Sequence, residues 1–572
     1  MGASGGGGGI EAAPLLAAEQ CGAEGVKTRR RRGGWRSARF VMGAAAAERF
    51  ASSGVSANLI TYLTGPLAMP TAAASEAVNT WSGFASVLPL LGAFIADEYL
   101  GRYRTVVFSS LLYLLGLGML IISVILNPSS WRGCDGNGDK EHCSSSNPVL
   151  VILFFSSLYI SAIALGGVRP CTQAFGADQF DDEDPEECKS RSSFFNWWDC
   201  VVCFGNSLSY LTLIYVQENV SWGLGFGITC IFMVVSLLVF LLGSKTYRYR
   251  VEESGKSPLV RVARVFICAA KNWRLKYPLS LAAEEETTVA SSDKFKFLDK
   301  ALFTTSVENR EDPIRDRVEC SITDVNEAKG LLKLLPIWCV CLPYAVVFAQ
   351  LTTFFTQQGS TMERSIGSHF QVPAAVLQTL TNLSITLLIP IYDLIFVPVV
   401  KTFTGKPSGI TTLQRIGCGM FISVVCMVVA ALVEKRRLDV AFDFGLIDNQ
   451  GAMVPMSIWW LAPQYLLRGL ADVFIFVGMQ EFFYDQVPNG LKSIGVGIHW
   501  TVIGVGNFLS SLLISILENA TSASGQGSWF PNNINKGHLD YFYMLLAAIN
   551  IASMLLFMYF AKLHTYNRWS NI

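Results

Sequence analysis

The chain is dominated by apolar runs of about 18 to 25 residues that alternate with polar segments. Runs of this length match the hydrocarbon thickness of a bilayer when they are helical. Because each backbone amide in hydrocarbon needs a partner within its own segment, we expect these runs to be α-helices. The short alternating segments of a membrane β-barrel do not occur in the sequence. The sequence therefore predicts an all-α membrane protein.

Two groups of six apolar runs are separated by one long polar segment, 244–329. The first six runs lie at about 40–64, 81–97, 104–126, 149–167, 194–216 and 222–243. The second six runs lie at about 330–356, 371–399, 410–433, 457–483, 492–517 and 540–562. This spacing predicts 12 transmembrane helices in two six-helix bundles, with a polar site at the interface between the bundles.

The same grouping predicts how the chain is divided. The expected parts are a cytosolic tail, an N-terminal bundle, a cytosolic linker, a C-terminal bundle and a second cytosolic tail, at 1–34, 35–243, 244–329, 330–563 and 564–572. Within the linker, the string SPLVRVARVFICAAKNW has apolar residues at helical spacing with basic residues between them. It is a candidate amphipathic helix that either lies on the membrane surface or is an ordinary solvated linker.

The short loops carry Lys and Arg mainly on one side of the membrane. Basic residues occur in the string KTRRRRGGWR before the first run, and again after the second, fourth, eighth and tenth runs. Since basic loops stay in the cytosol, twelve helices with this pattern have both termini in the cytosol. The cluster Lys435-Arg436-Arg437 lies on the opposite side and is the clear exception.

The composition excludes several classes of function. Only 15% of the residues are charged, and 44 basic residues are matched by 44 acidic ones. This balance gives no indication of a nucleic-acid partner. The sequence also lacks a recognisable catalytic nucleophile, phosphate-binding loop or cluster of metal ligands, so we expect neither an enzyme nor a metal site. The expected partners are a small-molecule substrate and the lipid bilayer.

Charged residues inside the predicted helices are the strongest indication of a site. A charged side chain is costly in lipid unless it faces water or a partner. We expect a polar cavity between the bundles that is lined by Glu48, Arg49, Arg169, Asp199 and Glu481. The alternative is that these residues form pairs that fasten one helix to another. Arg468 and Asp472, four residues apart, are predicted to pair on one helix face in a structural role.

Several strings resemble a known transporter family. GAFIADEYLGRYRTVV at 92–107 resembles the cytoplasmic loop signature of the major facilitator superfamily, in which Asp97 and Arg102 help to close the cytosolic face. More specific strings are GGVRPCTQAFGADQFD, SFFNWW, GMQEFFYDQVPNGLKSIG and SGQGSWFPNNINKGHLDYFY. They are similar to the plant nitrate transporter 1/peptide transporter family, the proton-dependent oligopeptide transporter branch of that superfamily, and most of all to its subfamily five.

This resemblance implies a proton-coupled transporter of nitrate, short peptides, hormones or specialised metabolites, with no cofactor besides the coupling proton. The family's first helix carries an E-x-x-E-R triplet for that coupling. Glu48 and Arg49 match the triplet, whereas Ala45 replaces its first Glu. Ser52 and Ser53 replace the paired aromatic residues that usually follow, which would widen and hydrate the pocket. The missing carboxylate implies weakened proton coupling.

Other family positions are altered in the later helices. Arg169 replaces a Lys, and Glu481 matches its acidic partner, so the resemblance implies a switchable Arg169–Glu481 pair between the bundles. Ser365 aligns with the nitrate-binding His of one family member, which argues against the same nitrate site here. Leu394 replaces the Arg of a YDRIFVP string. Asp199 occupies a usually aromatic position and is a candidate substitute for the missing acid.

These observations predict a secondary active transporter that moves a small solute across a plant membrane by alternating access. The candidate solutes are nitrate, a short peptide or an anionic specialised metabolite, with Arg49 and Arg169 attracting the negative group. The alternative is a solute-sensing receptor with little transport, which the altered triplet favours.

Two further predictions concern a tail and a loop. Glu11, Leu15 and Leu16 suit an acidic dileucine signal read by a sorting adaptor, which favours the vacuolar membrane over the plasma membrane. Cys134 and Cys143 lie in a hydrophilic loop and form a candidate disulfide if that loop faces an oxidising compartment.

Overall fold

A computed structural model of the chain is mostly helical in the residues that it describes. These are 33–126, 148–181, 184–249, 258–273, 295–302, 320–366, 370–404, 410–449, 452–487, 492–523 and 528–564. Two predictions fall outside these ranges: the sorting signal of Glu11, Leu15 and Leu16, and the disulfide between Cys134 and Cys143.

The described residues contain twelve long helices in two groups. The first six are α1 (Gly34–Ser56), α2 (Thr71–Ile95), α3 (Arg102–Ile125), α4 (Pro148–Ala177), α5 (Pro185–Asn219) and α6 (Trp222–Leu242). The second six are α7 (Ile322–Ala349), α8 (Gln378–Ile391), α9 (Thr412–Asp443), α10 (Ala462–Asp485), α11 (Lys492–Ala523) and α12 (Leu539–Leu563). The prediction of an all-α fold with two groups of six helices is confirmed.

Shorter elements connect or extend these helices. The short α-helices are Leu59–Thr64, Pro258–Lys271, Phe354–Ser360 and Val397–Thr404. Single π-helical turns extend α2 and α8, at Ala96–Leu100 and Tyr392–Phe396. Two small sheets lie in the loops that follow α7 and α9: β1 (Met362–Glu363) pairs in parallel with β4 (Val454–Ser457), and β2 (Ser365–Ile366) pairs antiparallel with β3 (Phe370–Gln371).

Ten helical segments in the described part of the chain are long and apolar enough to cross a membrane. The long helices that fall short by composition are α1 and α10, which carry charged residues well inside their length: Glu48 and Arg49 in α1, Arg468 and Asp472 in α10. Helix α1 packs against α4, α5 and α6, and α10 packs against α8, α9 and α11. Because neighbouring helices shelter these charges from lipid, α1 and α10 complete the twelve predicted spans.

Several helices begin before the apolar runs because polar residues cap them. Helix α5 begins at Pro185, well ahead of the predicted start at 194, and the Asp184 carboxylate accepts a hydrogen bond from the Glu186 backbone N–H at 3.0 Å. A capping box of Ser321 and Asp324 begins α7 at Ile322, ahead of the predicted start at 330. Such caps satisfy the backbone N–H groups that the first helical turn leaves without partners.

Close contacts at small residues hold the helices together. Helices α2 and α4 approach where Gly92 faces Gly166, and a Cβ at Gly92 would overlap the Gly166 carbonyl oxygen. Any larger residue would therefore push these two helices apart. Between the bundles, α2 packs against α11 and α5 packs against α8. These two contacts define the interface on which the candidate site lies.

The sequence analysis found one exception to the rule that basic loops stay in the cytosol, the cluster Lys435-Arg436-Arg437. The side chain of Arg437 explains part of this exception. It is fully buried, and it donates to the Glu434 carboxylate through Nε at 2.8 Å and through Nη2 at 2.6 Å. It also donates to Thr361 at 3.1 Å and to Asn535 at 2.5 Å. One of the three basic residues in the cluster is therefore an internal, neutralised group, and only its two neighbours are exposed on this side.

The predicted amphipathic segment of the linker forms a helix, Pro258–Lys271. Val262, Val265 and Ala269 are buried in a cluster with α7 residues such as Val325 and Ala328. The helix is thus docked on the C-terminal bundle rather than solvated throughout, and its contact with the membrane surface stays a prediction.

We predict that Arg437→Ala destabilises the protein severely, because it leaves the Glu434 carboxylate buried without its counter-charge. Removing one partner of a buried ion pair costs about 3–5 kcal/mol of unfolding free energy. Thermal unfolding of the purified protein in detergent measures the effect. Arg436→Ala is the matched control, since this neighbouring arginine is exposed. Equal unfolding curves for the two variants would contradict the prediction.

Candidate functional site

The candidate site is built around one buried carboxylate, Glu48 in α1. Its side chain is only 4% exposed. Oε2 of Glu48 lies 3.5 Å from Arg49 Nε, and Oε1 lies 3.7 Å from Nε of Arg169 in α4. The packing of α1 against α4 thus brings three of the five predicted cavity residues together.

The two arginine side chains are more accessible than the acid between them. Arg49 is 19% exposed and Arg169 is 26% exposed, against 4% for Glu48. The guanidinium groups are therefore the more accessible members of this cluster, and a guanidinium group suits a negatively charged group on a ligand.

The serines that follow the triplet are both engaged in this site. Arg169 Nη2 donates to Ser52 Oγ at 3.2 Å, and Ser53 Oγ donates to Asn206 Oδ1 in α5 at 2.6 Å. Small hydroxyl side chains let the arginine and the amide approach α1 closely. The sequence analysis predicted a hydrated pocket at Ser52 and Ser53, but it did not name Asn206 as part of that pocket.

The site also reaches the second bundle, through residues that the sequence analysis missed. Tyr210 of α5 lies within reach of Ser53 and of Asn382 in α8. Nδ2 of Asn382 is buried and has no hydrogen-bond acceptor among the described residues. In the sequence, Asn382 is visible as an amide inside an apolar run. A search of the predicted helices that considers only ionisable side chains does not find such a residue.

The altered position Ala45 leaves a small internal cavity beside Glu48. Its volume is about 10 Å³, close to the space that one water molecule needs. Oε1 of Glu48 is buried and has no hydrogen-bond partner in the described part of the chain. The cavity is lined by Ala44, Ala45, Glu48, Val106, Ser110, Val168, Thr172, Ser236 and Phe240.

The predicted switchable pair of Arg169 and Glu481 is not formed in this conformation. Glu481 Oε2 instead lies 3.3 Å from Nη1 of Arg415 in α9, and its Oε1 accepts from Thr412 at 3.5 Å. Arg415 stacks on Tyr392 at 4.3 Å and donates from Nη2 to the Val473 carbonyl at 2.9 Å. Since α9 and α10 pack directly against each other, the cation that pairs with Glu481, Arg415, belongs to the same bundle.

The predicted pair of Arg468 and Asp472 is confirmed. The two side chains contact each other within α10, and the Tyr344 hydroxyl of α7 donates to the same carboxylate. The Arg468 guanidinium also lies 4.5 Å from the ring of Phe348. Arg468 is 1% exposed, so the group ties α10 to α7 within the second bundle and plays a structural part.

The remaining predicted site residues lie elsewhere or fall outside the description. Ser365 is exposed in β2, in the loop between α7 and α8, and not in the Glu48 cluster. Arg102 donates to Asp178, just beyond α4, at 2.7 Å, so it links helix ends within one bundle. The side chains of Asp97, Leu394 and Asp199 lie outside the described residues, although each backbone is helical.

Polar contacts between the bundles gather near the ends of α1, α5 and α7. Arg364, in the loop after α7, pairs with Glu218 at the end of α5 at 3.3 Å. Hydrogen bonds join Asn79 to Ser510 at 3.0 Å, Thr80 to Ser511 at 2.9 Å, Gln357 to Thr64 at 2.8 Å, and Gln378 to the Ala57 carbonyl at 3.0 Å. Together these contacts hold the two bundles against each other at that end.

Two six-helix bundles, a buried charged cluster between them and polar contacts at one end define a transporter of the major facilitator type. The sequence profile of the POT family matches residues 103–530. Protein NRT1/PTR FAMILY 5.10 of Arabidopsis thaliana is 53% identical over 540 residues, which cover 94% of each chain. The chain therefore belongs to the POT family, in its plant nitrate transporter 1/peptide transporter branch.

Further comparisons agree with this assignment. Protein NRT1/PTR FAMILY 5.13 of Arabidopsis thaliana is 48% identical over 541 residues, again 94% of each chain. The crystal structure of an auto-inhibited POT family peptide transporter has the same fold, with a TM-score of 0.68 and 21% identity over 94% of this chain and 99% of that one. The resemblance inferred from the sequence strings, including subfamily five, is thus confirmed. The family consists of transporters, so the chain is not an enzyme.

We predict that Glu481 is energetically coupled to Arg415 and not to Arg169. A double-mutant cycle with Glu481→Gln and Arg415→Gln should give a coupling of roughly 0.5–1 kcal/mol, because Glu481 is 44% exposed and solvent screens the pair. The same cycle with Arg169→Gln should give a coupling near zero. Unfolding of the purified protein is the measurement. A larger coupling to Arg169 would restore the pair that the sequence suggested.

Proposed function

We propose that this protein moves a small anionic solute across a plant membrane by alternating access. The observation that carries the proposal is the accessible pair Arg49 and Arg169, which share one buried acid. Nitrate, a short peptide bound through its carboxylate, and an anionic specialised metabolite are the candidate classes. The amides of Asn206 and Asn382 supply neutral hydrogen-bonding groups on either side of the bundle interface, beside the cationic cluster.

Alternating access is supported by where the bundles meet. With the non-cytosolic contacts made, as at Arg364 and Glu218, the cluster at Glu48 is closed off from that side. In the opposite state of the transport cycle, the Glu48 cluster is open to that side. Reaching this state requires these contacts to break while each bundle keeps its own buried ion pairs. The Arg468–Asp472 and Arg437–Glu434 pairs lie within the second bundle and favour its movement as one body.

The anion proposal is tested by uptake into vesicles that contain the purified protein. Arg169→Ala should raise the KM for the transported anion roughly 10- to 100-fold, because a hydrogen bond to a charged group contributes about 1.5–3 kcal/mol. Arg169→Lys should recover part of this loss, since it keeps the charge. Arg436→Ala, far from the site, should leave uptake unchanged.

The same assay decides between the two functions that the altered triplet leaves open. Uptake of neutral or cationic solutes that is indifferent to Arg169→Ala would overturn the anion proposal. Solute binding to the purified protein without uptake would instead support a receptor.

We further propose that proton coupling is weak. One acid of the coupling triplet is retained at Glu48, and its partner position is Ala45. A proton taken up by Glu48 removes the negative charge that lies 3.7 Å from Arg169, and the second carboxylate of the triplet, which would take over, is missing at Ala45. Coupling that remains is expected to run through Glu48, with the proton as the only coupling ion.

This predicts uptake that follows the solute gradient more than the pH gradient. At a fixed solute gradient, varying the pH difference across the vesicle should change the wild-type rate only slightly. Glu48→Gln should remove the remaining dependence, and Ala45→Glu should steepen it by restoring the second acid. Strong accumulation by the wild type under a pH gradient alone would show that the lost glutamate is dispensable.

The vacuolar membrane is our proposal for the location of the protein. The support is the sequence Glu11-Ala12-Ala13-Pro14-Leu15-Leu16, which suits recognition by a sorting adaptor. Changing Leu15 and Leu16 to Ala in a fluorescent fusion should move the protein to the plasma membrane. Unchanged localisation would remove the basis for the signal.

A further inference from the structure

The linker helix Pro258–Lys271 presents two apolar surfaces. The first is docked: Val262, Val265 and Ala269 are buried in a cluster with the first turns of α7. An amphipathic linker needs only one such surface to pack on a bundle. The second surface therefore needs a separate explanation.

The second surface consists of Phe266, Ile267 and Trp273. Their exposed fractions are 36%, 55% and 65%. Phe266 and Ile267 are neighbours on the helix, and Trp273 follows its last residue, where the Lys300 ammonium group lies 5.7 Å from the centre of the Trp273 ring. We call these three exposed side chains the apolar strip. Large apolar side chains grouped in this way on a polar segment mark a binding surface rather than chance exposure.

The position of the helix is fixed relative to a membrane-spanning helix. Arg261 Nη1 lies 3.3 Å from the Asp324 carboxylate, and its Nη2 lies 3.5 Å from Glu327, both in the first turns of α7. Asn272 donates to the Lys300 carbonyl at 2.8 Å and anchors the other end. The exposed strip is thus held beside the point where α7 emerges from the bilayer.

The charges of this segment indicate which surface it meets. Residues 258–273 contain three basic residues and no Asp or Glu. Arg261 is engaged by α7, while Arg264 and Lys271 flank the apolar strip. Basic residues beside apolar ones suit a bilayer with anionic headgroups, and Trp prefers the boundary between headgroups and hydrocarbon.

We propose that the face formed by Phe266, Ile267 and Trp273 inserts into the cytosolic leaflet, with Arg264 and Lys271 on the phosphates of anionic phospholipids. The linker helix then attaches the cytosolic end of α7 to the membrane surface. Since Arg261 and the buried face fasten the helix to α7, lipid composition acts on the second bundle.

The test places a photoreactive benzoylphenylalanine at Ile267 in the full-length protein. The variant is reconstituted in vesicles of phosphatidylcholine with phosphatidylserine, illuminated and analysed by mass spectrometry. We expect lipid adducts at position 267, enriched in phosphatidylserine by roughly fivefold for each basic residue that contacts the headgroups. Arg264→Gln with Lys271→Gln should return the adducts to the bulk lipid composition.

A second photoreactive variant at Leu115, an exposed residue in the middle of α3, is the control for reconstitution and folding. Lipid adducts at 115 with none at 267 would overturn the proposal. Adducts between 267 and another protein segment would also overturn it, because they would show that part of this chain or a second copy covers the strip. Lipid adducts at 267 that ignore the two Gln changes would reject the anionic headgroups.

Discussion

The structure depends on how one carboxylate is accommodated in the middle of a membrane. Glu48 is nearly inaccessible, and it is tolerated there because Arg49 and Arg169 lie within 3.5 and 3.7 Å. An isolated charge at that depth would be expelled or neutralised, so the packing of α1 against α4 and the cluster require each other. The first bundle is thus organised around a charged centre that opens toward the second bundle through its guanidinium groups.

The second bundle uses its buried charges in a different way. Arg437 with Glu434 and Arg468 with Asp472 are closed pairs that are almost inaccessible. They tie α9 to Thr361 and Asn535 and α10 to α7. The first bundle therefore holds a cluster with accessible guanidinium groups, while these buried pairs of the second bundle link its own elements to one another. This difference between the bundles is consistent with bundles that move as units about contacts such as the one between α2 and α11.

Much of this architecture is predictable from the sequence, since the length and order of apolar runs specify the helices. Glu48, Arg49 and Arg169 could be expected to meet because buried charges seek partners. The partner of Glu481 could not, since whether α10 turns that side chain toward Arg415 or toward the cavity depends on helix rotation. The contact between Ser53 and Asn206 was missed for another reason: a neutral amide in an apolar run looks like any other tolerated polar residue.

The burial of Arg437 has a consequence for how the protein is made. The residue reaches Asn535, which follows it by 98 positions in the chain. While the ribosome is still synthesising α10 and α11, the guanidinium therefore has only Glu434, in the same helical turn, to neutralise it. The hydrogen bonds of Arg437 are completed only after the segment between α11 and α12 has been synthesised, which makes this a late step of biogenesis. A chain that ends with α11 lacks Asn535 and leaves this buried polar site incomplete.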